Sequence, residues 1–137
     1  MNNPDEIFPR ALAAHRAGDL ENATLLYREV LDTAPENIGA LRNLATLHAM
    51  KGDIDEAVTL YRQVLRLAPE DLAVLTNLGQ ILLASGDRDE VRTLYNKALE
   101  IDSGQAAIRT SLADICLMAG DADEAARHYA LITETGP

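Results

Sequence analysis

The 137-residue sequence predicts an all-α fold, a stack of four helical hairpins with about eight helices in a single domain. Three observations carry that expectation. The four tyrosines stand at Tyr27, Tyr61, Tyr95 and Tyr129, each 34 residues from the next. Gly18, Gly52, Gly86 and Gly120 keep the same interval, and each is followed by an aspartate: Asp19, Asp53, Asp87 and Asp121. Between Gly52 and Pro69 the apolar residues Ile54, Ala57, Val58, Leu60, Tyr61, Val64, Leu65 and Leu67 recur at helical spacing, not in strict alternation.

Each repeat therefore reads as two antiparallel helices. The first, or A, helices are expected at about residues 5–17, 39–51, 73–85 and 107–119. The second, or B, helices are expected at about 21–34, 55–68, 89–102 and 123–135. Glycine ends each A helix, because the chain must turn left-handed there. Asp53 with Glu56, Asp87 with Glu90 and Asp121 with Glu124 read as capping boxes that open B helices. Pro35, Pro69 and Pro137 share a third frame and stop B helices, with Ser103 where the remaining proline would stand. Helices of roughly 13 residues are marginal alone in water, so neighbouring hairpins must stack. Small residues mark the crossings: Ala11, Ala45, Gly79 and Ala113 on A helices face Ala23, Ala57, Val91 and Ala125 on B helices. The tyrosines fall at a core-facing phase, and Val91 is expected to push the third hairpin slightly apart.

Charge and composition exclude several functions. Twelve basic against 22 acidic residues give a net charge of −10, which opposes a phosphate backbone or an anionic membrane surface. One cysteine permits neither an intramolecular disulfide nor a thiolate zinc cluster. No apolar run approaches the roughly 18 residues of a membrane span. The opening Met1-Asn-Asn-Pro-Asp-Glu has neither a basic nor an apolar signal region, and a cytoplasmic location is expected.

Nothing in the pattern points to catalysis, a cofactor or a metal. Eleven of the 22 acids, including Asp19, Asp53, Asp87 and Asp121, fall in the first turns of B helices, where they complement the helix dipole. His15, His48 and His128 lie in different repeats at different phases, without a His-x-x-x-His spacing. Cys116 shares a phase with His48 and Leu82 and reads as a buried, inert thiol. No phosphate loop, nucleophile elbow or dinucleotide fingerprint occurs.

The segments Gly18-Asp-Leu-Glu-Asn-Ala, Gly52-Asp-Ile-Asp-Glu-Ala, Gly86-Asp-Arg-Asp-Glu-Val and Gly120-Asp-Ala-Asp-Glu-Ala resemble the tetratricopeptide repeat. So do Leu44-Ala45, Ala57 and Pro69 in the second unit and Leu78-Gly79 and Ala98 in the third. The resemblance spans about Pro4 to Pro137, with repeats at about 4–37, 38–71, 72–105 and 106–137. Val91 and Ser103-Gly104 depart from the family pattern, as do Leu41, Leu75 and Arg109 where a bulky aromatic is usual.

Membership would imply a right-handed superhelical solenoid whose concave groove, lined mainly by A helices, binds a peptide or helix of a partner protein. By that resemblance the lining is Phe8, Leu12, His15 and Arg16, then Arg42, Asn43, Thr46, Ala49 and Met50. It continues with Thr76, Asn77, Gln80, Leu83 and Ala84, then Thr110, Ser111, Asp114, Leu117 and Met118. Asn43 and Asn77 share one phase, which Ser111 continues. Such a row either holds the amides of an extended peptide or stabilises packing between A helices. Met50, Leu83, Leu117 and Met118 form either an apolar track for partner side chains or part of the packing between units. The groove positions with which relatives grip the acidic tails of chaperones hold Phe8, Leu12, Asn43, Ala73 and Asn77, or Arg42, Thr46, Asn77, Ala107 and Ser111. That cationic grip is missing, so a neutral or mildly basic protein partner is expected.

No polar capping helix follows the fourth unit, so Ile108, Ile115, Ala126, Tyr129 and Ile132 are expected to be partly uncovered and to mediate self-association. The leading reading is a non-enzymatic interaction module. The alternatives are the N-terminal recognition arm of a larger enzyme, of the glycosyl- or sulfotransferase type, and a self-assembling scaffold.

Overall fold

The computed structural model describes residues 3–135, with side chains described through residue 132. Eight helices follow one another: α1 (Pro4–Arg16), α2 (Leu20–Thr33), α3 (Ile38–Lys51), α4 (Ile54–Leu67), α5 (Leu72–Ser85), α6 (Arg88–Ile101), α7 (Ala106–Met118) and α8 (Ala122–Thr135). There is no strand among the described residues. All eight helices begin one residue before the expected start, because the residue taken as the first unwound position already has helical geometry. Pro137 lies outside the described residues.

The A-to-B turns share one construction. Gly18, Gly52, Gly86 and Gly120 have φ of 81°, 86°, 89° and 87°, a region a β-carbon disfavours. At each, the following aspartate donates its N–H back across the turn, as Asp53 does to His48 O at 2.8 Å and Asp121 to Cys116 O at 2.8 Å. These bonds satisfy carbonyls that a helix end otherwise leaves open.

Of the expected capping boxes, the one at Asp87 shows its cap bond and the one at Asp53 does not. Asp19 and Asp87 accept from the N–H groups of Asn22 (3.3 Å) and Glu90 (3.4 Å), as a helix cap does. Asp53 makes no side-chain cap bond. Its carboxylate turns to His48, 3.2 Å away, and Glu56 lies 3.3 Å from the other ring nitrogen. The Asp121 carboxylate pairs with Arg92 at 2.6 Å, and Glu124 pairs with the same guanidinium. At Asp53 the contact with His48 takes the place of the local cap. The A helices use caps of their own: Asn37 accepts from Ala40 N at 3.0 Å and Asp71 from Val74 N at 3.2 Å.

Chain contacts divide the protein into two compact units, one ending at Pro69 and the other beginning at Glu70. In the first unit α1 packs on α2, α2 on α3 and α3 on α4. Its core gathers Ile7, Ala11, Ala23, Leu26, Tyr27, Val30, Ala40, Leu44 and Leu47, with Phe8 and Leu12 packed against it. Ala11, Ala23, Ala45 and Ala57 are fully buried, as the crossing of two helices at close range requires.

In the second unit α5 packs on α6, α6 on α7 and α7 on α8. Here the close approach at Gly79 is made by Tyr95: a β-carbon at position 79 would stand 2.3 Å from the ring. The ring of the B helix lies where the other repeats carry an alanine methyl. The corner after α6, lacking proline, is closed by Asp102, whose carboxylate accepts the Gly104 N–H at 3.0 Å. Tyr27, Tyr61 and Tyr95 are at most 1% exposed, whereas Tyr129 is 36% exposed.

Candidate functional site

The A-helix residues expected to line a groove are placed in each unit as follows. In the first unit Asn43 and Thr46 are half-buried on α3, one turn apart, and Met50 at the end of the same helix is 62% exposed. Both polar residues are engaged with buried tyrosines. The Asn43 amide acts on the Tyr27 hydroxyl, which stands 3.1 Å from His15 Nδ1. The Thr46 hydroxyl bonds that of Tyr61 at 2.8 Å and lies 3.1 Å from the Arg42 carbonyl. Burial pushes the Tyr27 hydroxyl above its ordinary pKa, and the Asn43 amide and the Arg16 charge pull part of that back. Phe8 is spent on packing: its ring fills the space beside Gly39 and meets Tyr27 with centroids 6.0 Å apart.

In the second unit Thr76 turns its hydroxyl to the carbonyls of Leu72 (3.2 Å) and Ala73 (3.0 Å), and Thr110 does the same to Ala106 (2.9 Å). Asn77, Leu83 and Ser111 are half-buried and Gln80 is exposed. Asp114 accepts the Tyr129 hydroxyl proton, and that bond raises the tyrosine pKa. Thr46 and Asp114 hold the same place in their repeats and each meets the tyrosine fifteen residues further on. From the sequence these positions read as groove lining alone. The signal available was the constant fifteen-residue offset from tyrosine.

Leu117 and Met118 are 54% and 64% exposed. Of the residues expected to be uncovered in the fourth repeat, Ile108 and Ile115 are buried, at 7% and 4%, because they face inward within their own unit. Ala126 and Tyr129 are exposed and Ile132 is half-buried. The apolar surface of this hairpin is therefore carried by Leu117, Met118, Tyr129 and Leu131.

Two clusters of ionisable side chains lie at the starts of B helices. In the first unit His48, 4% exposed, sits between Asp53 and Glu56, with an Arg28 guanidinium nitrogen 3.5 Å from Nε2. A cavity of about 270 Å³ opens beside them, walled also by Leu44 and Leu60. In the second unit Arg92 of α6 clamps Asp121 and Glu124. Beneath the clamp, Cys116 of α7 and Glu124 and His128 of α8 bring their Sγ, carboxylate and ring-nitrogen atoms within 4.8 Å of one another. Arg92 holds the Glu124 carboxyl below its ordinary pKa. Burial raises the Cys116 thiol and lowers the His128 imidazole. Sequence reasoning missed this group because its members are spread over two helices at mixed phases; the spacing of four between Glu124 and His128 was the visible part.

Helical hairpins of one length, each turned by a left-handed glycine, define a helical-hairpin repeat protein. Two tetratricopeptide repeat family models match the chain, over residues 39–104 and 82–137. The chain belongs to the tetratricopeptide repeat family. Among solved structures it is similar to a crystal structure of MamA, at 17% identity over 98% of this chain and 78% of that one, with a TM-score of 0.86. It is also similar to MamA AMB-1, at 23% identity over 96% and 72%, with a TM-score of 0.85. For MamA 41-end from Desulfovibrio magneticus RS-1 the values are 19%, 98% and 76%, with a TM-score of 0.81. At these identities the likeness is one of fold. No curated protein matches. No helix among the described residues is long and apolar enough to cross a membrane.

Proposed function

We propose that the chain is a protein-interaction module whose A-helix surface holds a peptide or helix of a partner protein. The observation that carries this reading is the side-by-side placement on α3 of half-buried amide and hydroxyl groups, Asn43 and Thr46, with the exposed thioether of Met50. An asparagine amide offers two donors and an acceptor. Asn43 lies where its amide acts on Tyr27, and the group has hydrogen-bonding capacity to offer a peptide backbone. Asn77 and Ser111 repeat the position in the second unit, and the net charge of −10 favours a neutral or mildly basic partner.

The test is an amide NMR titration of the full chain with a peptide library of varied charge. Shifts centred on α3 and α5, and loss of binding in an Asn43→Ala/Asn77→Ala double variant of unchanged helicity, are expected. Shifts confined to α2, α4 and α6 would overturn the reading.

A second reading, self-association, is favoured by the exposed Leu117, Met118, Tyr129 and Leu131 on the last hairpin. It expects a concentration-dependent mass in sedimentation, abolished by Met118→Glu with Leu131→Glu. A concentration-independent monomer would remove it.

A further inference from the structure

We propose that Cys116, Glu124 and His128 form a three-ligand site for a zinc ion, with water in the fourth position. A thiolate, a carboxylate oxygen and an imidazole nitrogen are a donor set that zinc accepts in tetrahedral geometry. In such a site the ligand atoms stand about 3.5 Å apart, given bonds of roughly 2.0–2.3 Å. The three atoms here already lie within 4.8 Å of one another on two packed helices, so small side-chain rotations close the remainder.

Three further features fit this assignment. His128 Nε2 is, among the described residues, the buried side-chain nitrogen or oxygen without a hydrogen-bond partner. Its nearest acidic atom, Glu124 Oε1, is 3.8 Å away, too far for a hydrogen bond. A buried polar atom left open in this way calls for an occupant. Glu124 is oriented for the task, since Arg92 binds its Oε2 and leaves Oε1 toward His128. Such outer contacts commonly orient a metal ligand. Asp121 shares Arg92, so the guanidinium charge is balanced outside the site.

Binding has a defined proton balance. Zinc displaces the thiol proton of Cys116, which leaves as one proton to solvent. His128 presents the Nε2 lone pair, so its ring proton resides on Nδ1. In the metal-free protein Arg109 stands 3.3 Å from Nδ1 and also donates to the Ser103 carbonyl at 3.0 Å. On zinc binding Arg109 gives up Nδ1 and keeps Ser103. The ion's two charges are matched by thiolate and carboxylate, and α7 becomes tied to α8.

Cobalt(II) and zinc(II) titrations of the full chain test the assignment. One equivalent of cobalt should produce a thiolate charge-transfer band that zinc abolishes, and calorimetry in buffers of different ionisation enthalpy should show one proton released. His128→Ala and Cys116→Ala should each weaken zinc at least tenfold with helicity retained, while Arg109→Gln, which removes the competing donor, should tighten it. If Cys116→Ala fails to fold, His128→Ala and the band decide. Absence of the band at one equivalent, or zinc affinity within twofold of the parent in His128→Ala, would overturn the site.

Discussion

Asp53 places its carboxylate 3.2 Å from Nδ1 of His48, and this contact takes the N-cap away from α4. The equivalent Asp87, whose repeat carries Leu82 in place of His48, does cap its helix. Replacing His48 with Leu should therefore release Asp53 to the backbone. A cap of this kind contributes about 0.5–2 kcal/mol, and leucine suits the buried position. The expected outcome is a higher midpoint in thermal unfolding of H48L; a fall of several degrees would show that the His48 contacts with Asp53 and Glu56 outweigh the cap.

Gly79 and Tyr95 make a second exclusive pair. Alanine at position 79 would gain up to about 1 kcal/mol in helix propensity. It would also force a fully buried ring to move, at about 1–3 kcal/mol or more. G79A should be net destabilised in chemical denaturation. Tyr95→Leu in the same background should restore part of the loss, whereas additive effects of the two changes would deny the clash.

Tyr27 and Tyr129 should respond differently to loss of the hydroxyl. Tyr27→Phe removes a bonded group from a fully buried ring and leaves His15 and Asn43 without it, so a loss of about 0.5–1.5 kcal/mol is expected. Tyr129→Phe removes an exposed bond and should change stability by less. Urea unfolding of the two variants separates them.

His128 should make stability depend on pH near neutrality. Burial, then the Arg109 charge, hold its folded pKa below the ordinary 6.5. Between that lowered value and 6.5 the unfolded chain binds a proton that the folded imidazole does not, so stability is full above 6.5 and falls as pH drops through the window. Glu124, lowered by Arg92, contributes above its ordinary 4.5 and loses that contribution as pH falls below it. Denaturation midpoints measured with a chelator present should decline from pH 7.5 to pH 5.5, and His128→Gln should flatten that decline.

The repeat frame made the fold legible because backbone demands recur with it. A left-handed glycine every 34 residues and a tyrosine at one phase leave little freedom in where the helices start and stop. What the pattern concealed lies in side-chain competition. Asp19, Asp53, Asp87 and Asp121 are identical in sequence position, yet Asp19 and Asp87 cap their helices, Asp53 turns to His48 instead, and Asp121 pairs with Arg92. Ile108 and Ile115 read as partly uncovered because their repeat is the last, but burial within their own unit governs them. Asn43 and Thr46 were recognisable as surface candidates; their bonds to Tyr27 and Tyr61 depend on the approach of separate helices, which periodicity alone does not measure.

The corner between α6 and α7 is built from Asp102, Ser103 and Gly104, all exposed, where the first two repeats stiffen theirs with Pro35 and Pro69. A protease needs several residues of pliable backbone to enter its cleft, and a ring-locked imide refuses that fit. The third corner is accordingly where limited digestion should nick the second unit first. It is also the joint into which a reporter domain could be spliced with least disturbance to the helices on either side.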